Sequence, residues 1–234
     1  MYESSLILTT PTNSQMLWRY MSLDRLIDLL ESKELFFTHL PAFEDKLEGT
    51  LTKCSRNNLS DFYRNQGCSP ENAKEDVKLY ETHHEAFYAN CWHMNDVESY
   101  LMWKAYADRG YAIRTTFERV QDSFEPFAGS ITGGVVNYVN FENDITSLGN
   151  VFHHVITKDM PYRDEREFRL VFWRHDLKNQ AIQPGLKGLR VAISVSRLIE
   201  HVFISPSETN IPDKLLALMK QHDIAWYSSQ VSLR

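Results

Sequence analysis

The residues best suited to chemistry fall in three stretches that are far apart in the chain. Between Cys91 and Tyr106 the sequence gathers Trp92, His93, Asp96, Glu98, Ser99, Trp103 and Tyr106 around one expected strand-to-helix turn. Asp96 and Glu98 near a helix N-terminus would complement its macrodipole, which accounts for both charges without a ligand. The aromatic rings are open to two readings. A helix N-terminus beside flat rings can seat a phosphate and a base, and indoles equally fill ordinary cores. The second stretch is Tyr162-Arg163-Asp164-Glu165-Arg166-Glu167-Phe168-Arg169. On an extended strand Glu165 and Glu167 share one face, with Arg166 and Phe168 on the other. Two adjacent carboxylates repel unless a cation or a substrate lies between them; the alternative is a solvated edge laced with weak Arg–Glu pairs. The third is Trp18-Arg19-Tyr20. An arginine inside an apolar strand requires an anion, either Glu165 or Glu167 or a bound phosphate.

Other polar clusters carry less. Phe43-Glu44-Asp45-Lys46-Leu47-Glu48-Gly49 puts three acids in a turn that Gly49 can close, and a capped or solvated turn is expected there rather than a cation site. The adjacent pairs His83-His84 and His153-His154 must diverge, and Cys91-x-His93 has no matching second pair, so no metal is expected. The motifs of P-loop, dinucleotide-binding and nucleophile-elbow enzymes are absent from the sequence. A net charge of −6 argues against a broad grip on nucleic acid, leaving a local patch of Arg163, Arg166, Arg169 and Arg174 as the basic candidate. Cys54, Cys68 and Cys91 cannot pair completely, as suits a reducing compartment. With no apolar run of ~20 residues and no basic leader at the start, a soluble cytoplasmic protein is expected, with no membrane partner.

The elements that must position these residues follow from periodicity. Strands are expected at 5–9, 16–20, 35–37, 87–92, 111–117, 135–139, 167–173, 189–195, 199–204 and 224–227. Helices are expected after Ser22, over 97–107, 145–158 and 211–222, and as two surface helices in a polar insertion at about 55–86, interrupted by Gly67 and Pro70. Strands with few long helices between them predict an α+β fold, with a mixed, largely antiparallel sheet and flanking helices. No boundary divides residues 1–234, so one domain is expected.

Several segments, in this order, resemble a widespread bacterial family, domain of unknown function 2971. They are Leu17-Trp18-Arg19-Tyr20; Leu35-Phe36-Phe37 with Phe43-x-Asp45-x-x-Glu48-Gly49; Glu98-Ser99-x-x-Met102-Trp103-x-x-Tyr106-Ala107; Gly110-Tyr111-Ala112-Ile113; Val136-x-Tyr138; Lys158 with Tyr162; and Glu165-x-Glu167-Phe168-Arg169-Leu170-Val171. The likeness runs from about residue 16 to about 205. The chain is also similar, more distantly, to ADP-ribosyltransferases that modify nucleic acids. These open with a strand bearing His or Arg, then a helix and a short strand, and close with a strand carrying the catalytic glutamate, often as Glu-x-Glu. Trp18-Arg19-Tyr20 looks like that opening and Glu165-x-Glu167 like that close, on a split sheet.

That resemblance implies NAD as substrate and a bacterial defence or toxin setting, with nucleic acid, protein or water as acceptor. Glu167 would stabilise the oxocarbenium-like cation, Glu165 would grip the acceptor, and Ser99 would hold the middle catalytic position. Arg19 would hold the pyrophosphate, while Tyr20, Trp92, His93, Trp103 and Tyr106 would line the cofactor site. Two other functions fit the same residues. One is a nucleotide- or nucleic-acid-binding module without catalysis; the other is a nuclease using Asp45, Glu48, Glu98 and Glu165 around a divalent cation. An interaction subunit of a phage-defence or toxin system is a third, less specific expectation.

Overall fold

The alternating apolar positions of the sequence are realised in a sheet that branches. The computed structural model describes residues 1–174 and 187–231. In chain order it begins with β1 (Met16–Met21), α1 (Leu23–Ser32), β2 (Glu34–His39), α2 (Lys53–Asn65), α3 (Pro70–Glu81), β3 (Phe87–Met94), α4 (Tyr100–Tyr106), β4 (Tyr111–Thr116) and α5 (Phe117–Ser123). There follow β5 (Thr132–Val135), β6 (Asn137–Val139), α6 (Phe152–Val155), β7 (Thr157–Asp159), β8 (Glu167–Trp173), β9 (Gly188–Ala192), α7 (Val195–Leu198), β10 (His201–Ile204), α8 (Asp213–Gln221) and β11 (Ala225–Ser228). β6 and β7 form a small parallel pair. The remaining strands make one nine-stranded sheet, antiparallel except at its β10–β11 edge. The class is therefore α+β with a largely antiparallel sheet and flanking helices.

β3 is the branch point. One edge pairs with β8 from Phe87 to His93. On the opposite edge its C-terminal end pairs with β1, Leu17 opposite Met94 and Trp18 opposite His93. Its N-terminal end pairs there with β2, Thr38 opposite Ala89 and His39 opposite Tyr88. Between these contacts β1 turns toward β4, β10 and β11, and β2 toward β9. Backbone groups bared by such a divergence need other partners. Arg19 Nη1 donates to the Cys91 carbonyl at 3.1 Å, and Asn90 Nδ2 donates to the Phe36 carbonyl at 2.9 Å. Asn90 Oδ1 in turn accepts from Trp92 Nε1 at 2.7 Å.

Cross-strand register sorts the side chains. Leu17, Met21, Trp92 and Phe168 lie on the face where the main core forms with α1, α5, α7 and α8. Trp18, Tyr20, His93 and Glu167 take the other face, where Trp103 and Ala107 at α4 pack on Trp18 and Tyr20. Helix α1 presents Leu26, Leu29 and Leu30 to the core and stops at Lys33, a left-handed residue with φ 56°. Ser22 occupies its N-cap position without a side-chain capping bond.

The polar insertion is two helices, as expected. Thr52 caps α2, Ser69 caps α3 ahead of Pro70, and Leu51, Leu59 and Val77 give the pair a small core of its own. Elsewhere local polar bonds override periodicity. Residues 5–9 are irregular rather than a strand, although Leu8 is buried and the Thr9 carbonyl accepts from the Val135 amide. The helix expected at 145–158 shrinks to α6 and is followed by β7. Asn140 and Asn150 side chains accept from nearby backbone amides and hold turns there instead. Phe117 begins α5, capped by Thr116, rather than ending β4. Among the described residues no helix is long and apolar enough to cross a membrane.

Asn90 is 1% exposed and both ends of its amide are engaged across the fork. Each buried group left unpaired costs about 1–3 kcal/mol. Asn90→Ala is therefore expected to lower the unfolding free energy by at least about 2 kcal/mol, read from urea denaturation; a loss below ~0.5 kcal/mol would contradict its bridging role.

Candidate functional site

A cavity of about 290 Å³ opens where the sheet forks. It takes Trp18 and His93 from one face of the sheet and Asn90 and Trp92 from the other, because β1 and β2 have separated there. Arg25 from α1, Tyr106 from α4 and the 43–48 turn complete its walls together with Lys158, Tyr162, Glu165, Glu167 and Arg169.

Strand alternation predicts Glu165 and Glu167 on one face. The chain does otherwise. Asp159 caps a 3₁₀ turn over Met160–Glu165 with Pro161 in its first positions; Arg166 then adopts φ 42°, and β8 begins only at Glu167. The two carboxylates still converge, through Lys158. Lys158 Nζ stands 2.6 Å from Glu165, 3.4 Å from Glu48 and 3.6 Å from Glu167. The partner of Glu167 is Arg169, two residues on and on the same face of β8, rather than Arg19. Arg169 Nε and Nη2 each donate to Glu167 at 2.9 Å; Nη2 also donates to Glu48 at 2.7 Å and Nη1 to the Val155 carbonyl at 2.6 Å. Arg169 is 0% exposed, so this is a closed cage and not a solvated edge, and Arg169 contributes nothing to a surface basic patch. Phe43 lies 5.4 Å from the Arg169 guanidinium and Tyr162 4.7 Å from the Lys158 ammonium, capping the cage with aromatic faces.

Burial alone would raise the Glu167 carboxyl, but the Arg169 guanidinium, its hydrogen bonds and Lys158 bring it down to about 2. Lys158 and Arg169 are likewise opposed by burial and held protonated by the surrounding carboxylates. Burial and then the Glu167 charge push the Cys91 thiol up, so it stays protonated. Among the described residues the ion pairs of Glu48, Glu165 and Glu167 run to Lys158 and Arg169, three carboxylates to two cations, and Arg19 acts on Glu167 only through longer-range charge.

Arg19 sits at the opposite side of the fork. It lies 5.9 Å from the Trp92 ring, donates to the Cys91 carbonyl, and has no carboxylate at ion-pairing distance among the described residues. Burial, with a contribution from Arg25, draws its pKa down to about 10. His93 Nδ1 stands 2.6 Å from the Glu165 carbonyl, and its Nε2 is buried without a partner among the described residues, as is Oδ2 of Asp45. Tyr106 donates to Glu165 Oε1 at 2.8 Å; burial, then Glu165, raises its pKa, so the hydroxyl stays protonated. Tyr20 accepts from the Ser99 amide at 2.8 Å.

Two of the expected site residues lie outside the cavity. Ser99 is the N-cap of α4, its hydroxyl accepting from the Met102 amide at 3.3 Å. Trp103 is 1% exposed, packs edge-on against Tyr20, and donates Nε1 to Glu98 at 2.9 Å. Helix α4 starts at Tyr100, so Asp96 and Glu98 are not in its first turn. Glu98 instead accepts from Trp103, from Ser229 and from the Gln230 amide. Of the four acids considered for a divalent cation, only Glu98 lies apart; Asp45, Glu48 and Glu165 line the cavity, where Glu48 and Glu165 already hold basic side chains. Among the described residues no three His, Cys, Asp or Glu side chains are grouped to hold a metal ion. Neither Arg169 nor Lys158 is expected in the cavity from sequence; the spacing of Glu167 and Arg169 at alternate strand positions is the available signal. The chain matches no protein-family model, no curated protein and no solved structure.

Removing one partner of a buried ion pair costs about 3–5 kcal/mol. Glu167→Gln is expected to lose about 3 kcal/mol of stability at pH 7, measured by urea unfolding. Glu167 is depressed from an ordinary 4.5 to about 2, so its contribution is complete above 4.5 and drains away as the pH falls toward 2. The gap between wild type and Glu167→Gln should narrow across that same window. A gap that holds constant down to pH 2 would show that the pair is not what stabilises the fold.

Proposed function

We propose that the chain is a member of the domain of unknown function 2971 family and an NAD-dependent ADP-ribosyltransferase, or an NAD glycohydrolase where water is the acceptor. The observation that carries this reading is the fork at β3, which brings Arg19 of the first strand and the Glu165-x-Glu167 segment at the start of β8 onto one cavity. An opening strand bearing arginine, a split sheet and a closing Glu-x-Glu are the features that the resemblance to ADP-ribosyltransferases predicts.

The chemistry is consistent with the charges. Breaking the nicotinamide–ribose bond builds positive charge at C1′ of the ribose. The cage offers one excess carboxylate, and Glu167 stays ionised throughout the neutral range. Arg19, with donors to spare, and Arg25 beside it offer a pyrophosphate a planar, bidentate partner. A cavity of about 290 Å³ would take the nicotinamide riboside half, with the remaining nucleotide across the mouth past Arg25. Tyr106, half exposed at the rim, supplies a ring for stacking. Glu165 becomes a positioning residue, because its carboxylate already holds Tyr106 and Lys158 and its carbonyl holds His93.

One observation favours the second reading, a nucleotide-binding module without turnover: both oxygens of Glu167 are committed to Arg169. Incubating purified protein with NAD and assaying free nicotinamide separates the two. Release is expected, and Arg19→Lys should raise KM about tenfold with a smaller effect on kcat, since lysine cannot fork a phosphate. NAD binding without release would select the binding module. Neither binding nor release would remove NAD from the account.

A further inference from the structure

The hydrogen-bond inventory of the cavity wall singles out two titratable side chains. His93 at Nε2 and Asp45 at Oδ2 each hold a buried acceptor atom that no group among the described residues claims. Buried polar atoms without partners are uncommon and call for an explanation. Of the other cavity carboxylates, Glu44 is exposed to water, and Glu48, Glu165 and Glu167 are occupied. Glu165 accepts from Tyr106 and Lys158, and Glu167 accepts from Arg169 at both oxygens. Resting on the transferase reading, we infer that His93 is the general base of this site, its Nε2 taking the proton of the hydroxyl or water that attacks C1′ of the NAD ribose.

The tautomer follows from geometry. The Glu165 carbonyl, 2.6 Å from Nδ1, can only accept, so Nδ1 carries the hydrogen and Nε2 is a bare lone pair. The ring is 3% exposed and fixed by that bond. The charged and titratable groups around it are Glu165 and Arg166 from the 3₁₀ turn, Glu167 opposite it on β8, Tyr20 from β1 at 6.2 Å between ring centroids, and Cys91 on its own strand. Burial, assisted by Arg166, keeps the imidazole pKa below its ordinary value and outweighs Glu165, so the ring is neutral at pH 7. Asp45 is the weaker candidate, because its carboxylate is already tied to its own turn, Oδ1 accepting from the Leu47 amide at 2.9 Å.

The step balances. The nucleophile's oxygen forms a bond to C1′ as the C1′–N bond to nicotinamide breaks. The electron pair of that bond neutralises the pyridinium nitrogen. The nucleophile's proton passes to Nε2, and the imidazolium that results, opposite Glu167 in the β3–β8 register, gives it up to water that enters as the products leave.

Two measurements test this. In ¹⁵N-imidazole correlation spectra of the whole protein, His93 is expected as the neutral Nδ1–H tautomer at pH 7. An Nε2–H tautomer or an imidazolium there would overturn the assignment whatever the cavity binds. Second, His93→Asn keeps a donor for the Glu165 carbonyl and removes the base. Its Kd for NAD by calorimetry should stay within about twofold, while kcat for nicotinamide release falls about 10²- to 10⁴-fold, loses its acidic limb with pH, and recovers in part with added imidazole. His93→Gln is read in the same way if the Asn variant fails to fold. An unchanged kcat and pH profile, or the loss appearing in Asp45→Asn instead, rejects His93 and leaves the transferase reading standing. Wild-type protein that releases no nicotinamide at any pH ends both.

Discussion

A guanidinium without exposed surface organises this molecule. Arg169 points all its polar contacts inward, to Glu167 on its own strand, Glu48 in the turn after β2, and the Val155 carbonyl of α6. An unpaired charge at that depth is prohibitive, so three segments from different parts of the chain must arrive together. Lys158 extends the requirement to β7 and the 3₁₀ turn, and Glu165 carries it to Tyr106 on α4. A hydrophobic core would tolerate repacking at such a junction; a set of directional bonds among ions fixes which residues stand where.

The middle cluster, richest in reactive residue types by sequence, serves largely as support. Ser99 caps a helix and donates its amide to the Tyr20 hydroxyl; Glu98 gathers Trp103 and the chain near Ser229. These contacts seat α4 over Trp18 and Tyr20 and so set the position of the Tyr106 ring at the cavity rim.

What could be read from sequence was whatever depends on local period. The strand at 167–173, the one at 87–92 and the paired helices of the insertion follow from alternation, Gly67 and Pro70. The conjunction of Arg19, His93, Tyr106 and the Glu165–Glu167 segment has no such local basis; the resemblance implied it, and these residues line one cavity. Illegible were the partnerships, which depend on distance in three dimensions. Arg19 read as an embedded cation seeking Glu165, Glu167 or a phosphate, yet Arg169 and Lys158 reach those carboxylates first. Glu48 read as part of a solvated turn, and is 6% exposed. The branching of β3 has no local signature either, because neither β1 nor β2 signals that each will pair with only one end of the same strand. Gly133 is similar. Its role is to let β5 lie close to β8, where a Cβ would stand 2.6 Å from the Phe168 ring, and nothing near it in the sequence says so.

The α2–α3 pair has a consequence for how such chains can vary. It leaves the body at Thr52 and returns at Thr82, its two ends clasped by Arg56 and Glu81 at 2.6 Å. Its tip at Gly67 has φ 93° and open space around it. A hairpin anchored at its root and free at its point can be lengthened, shortened or made to carry a foreign segment while the sheet stays in register. Descendants of this scaffold thus have, at that tip, a place to diversify away from the ionic junction.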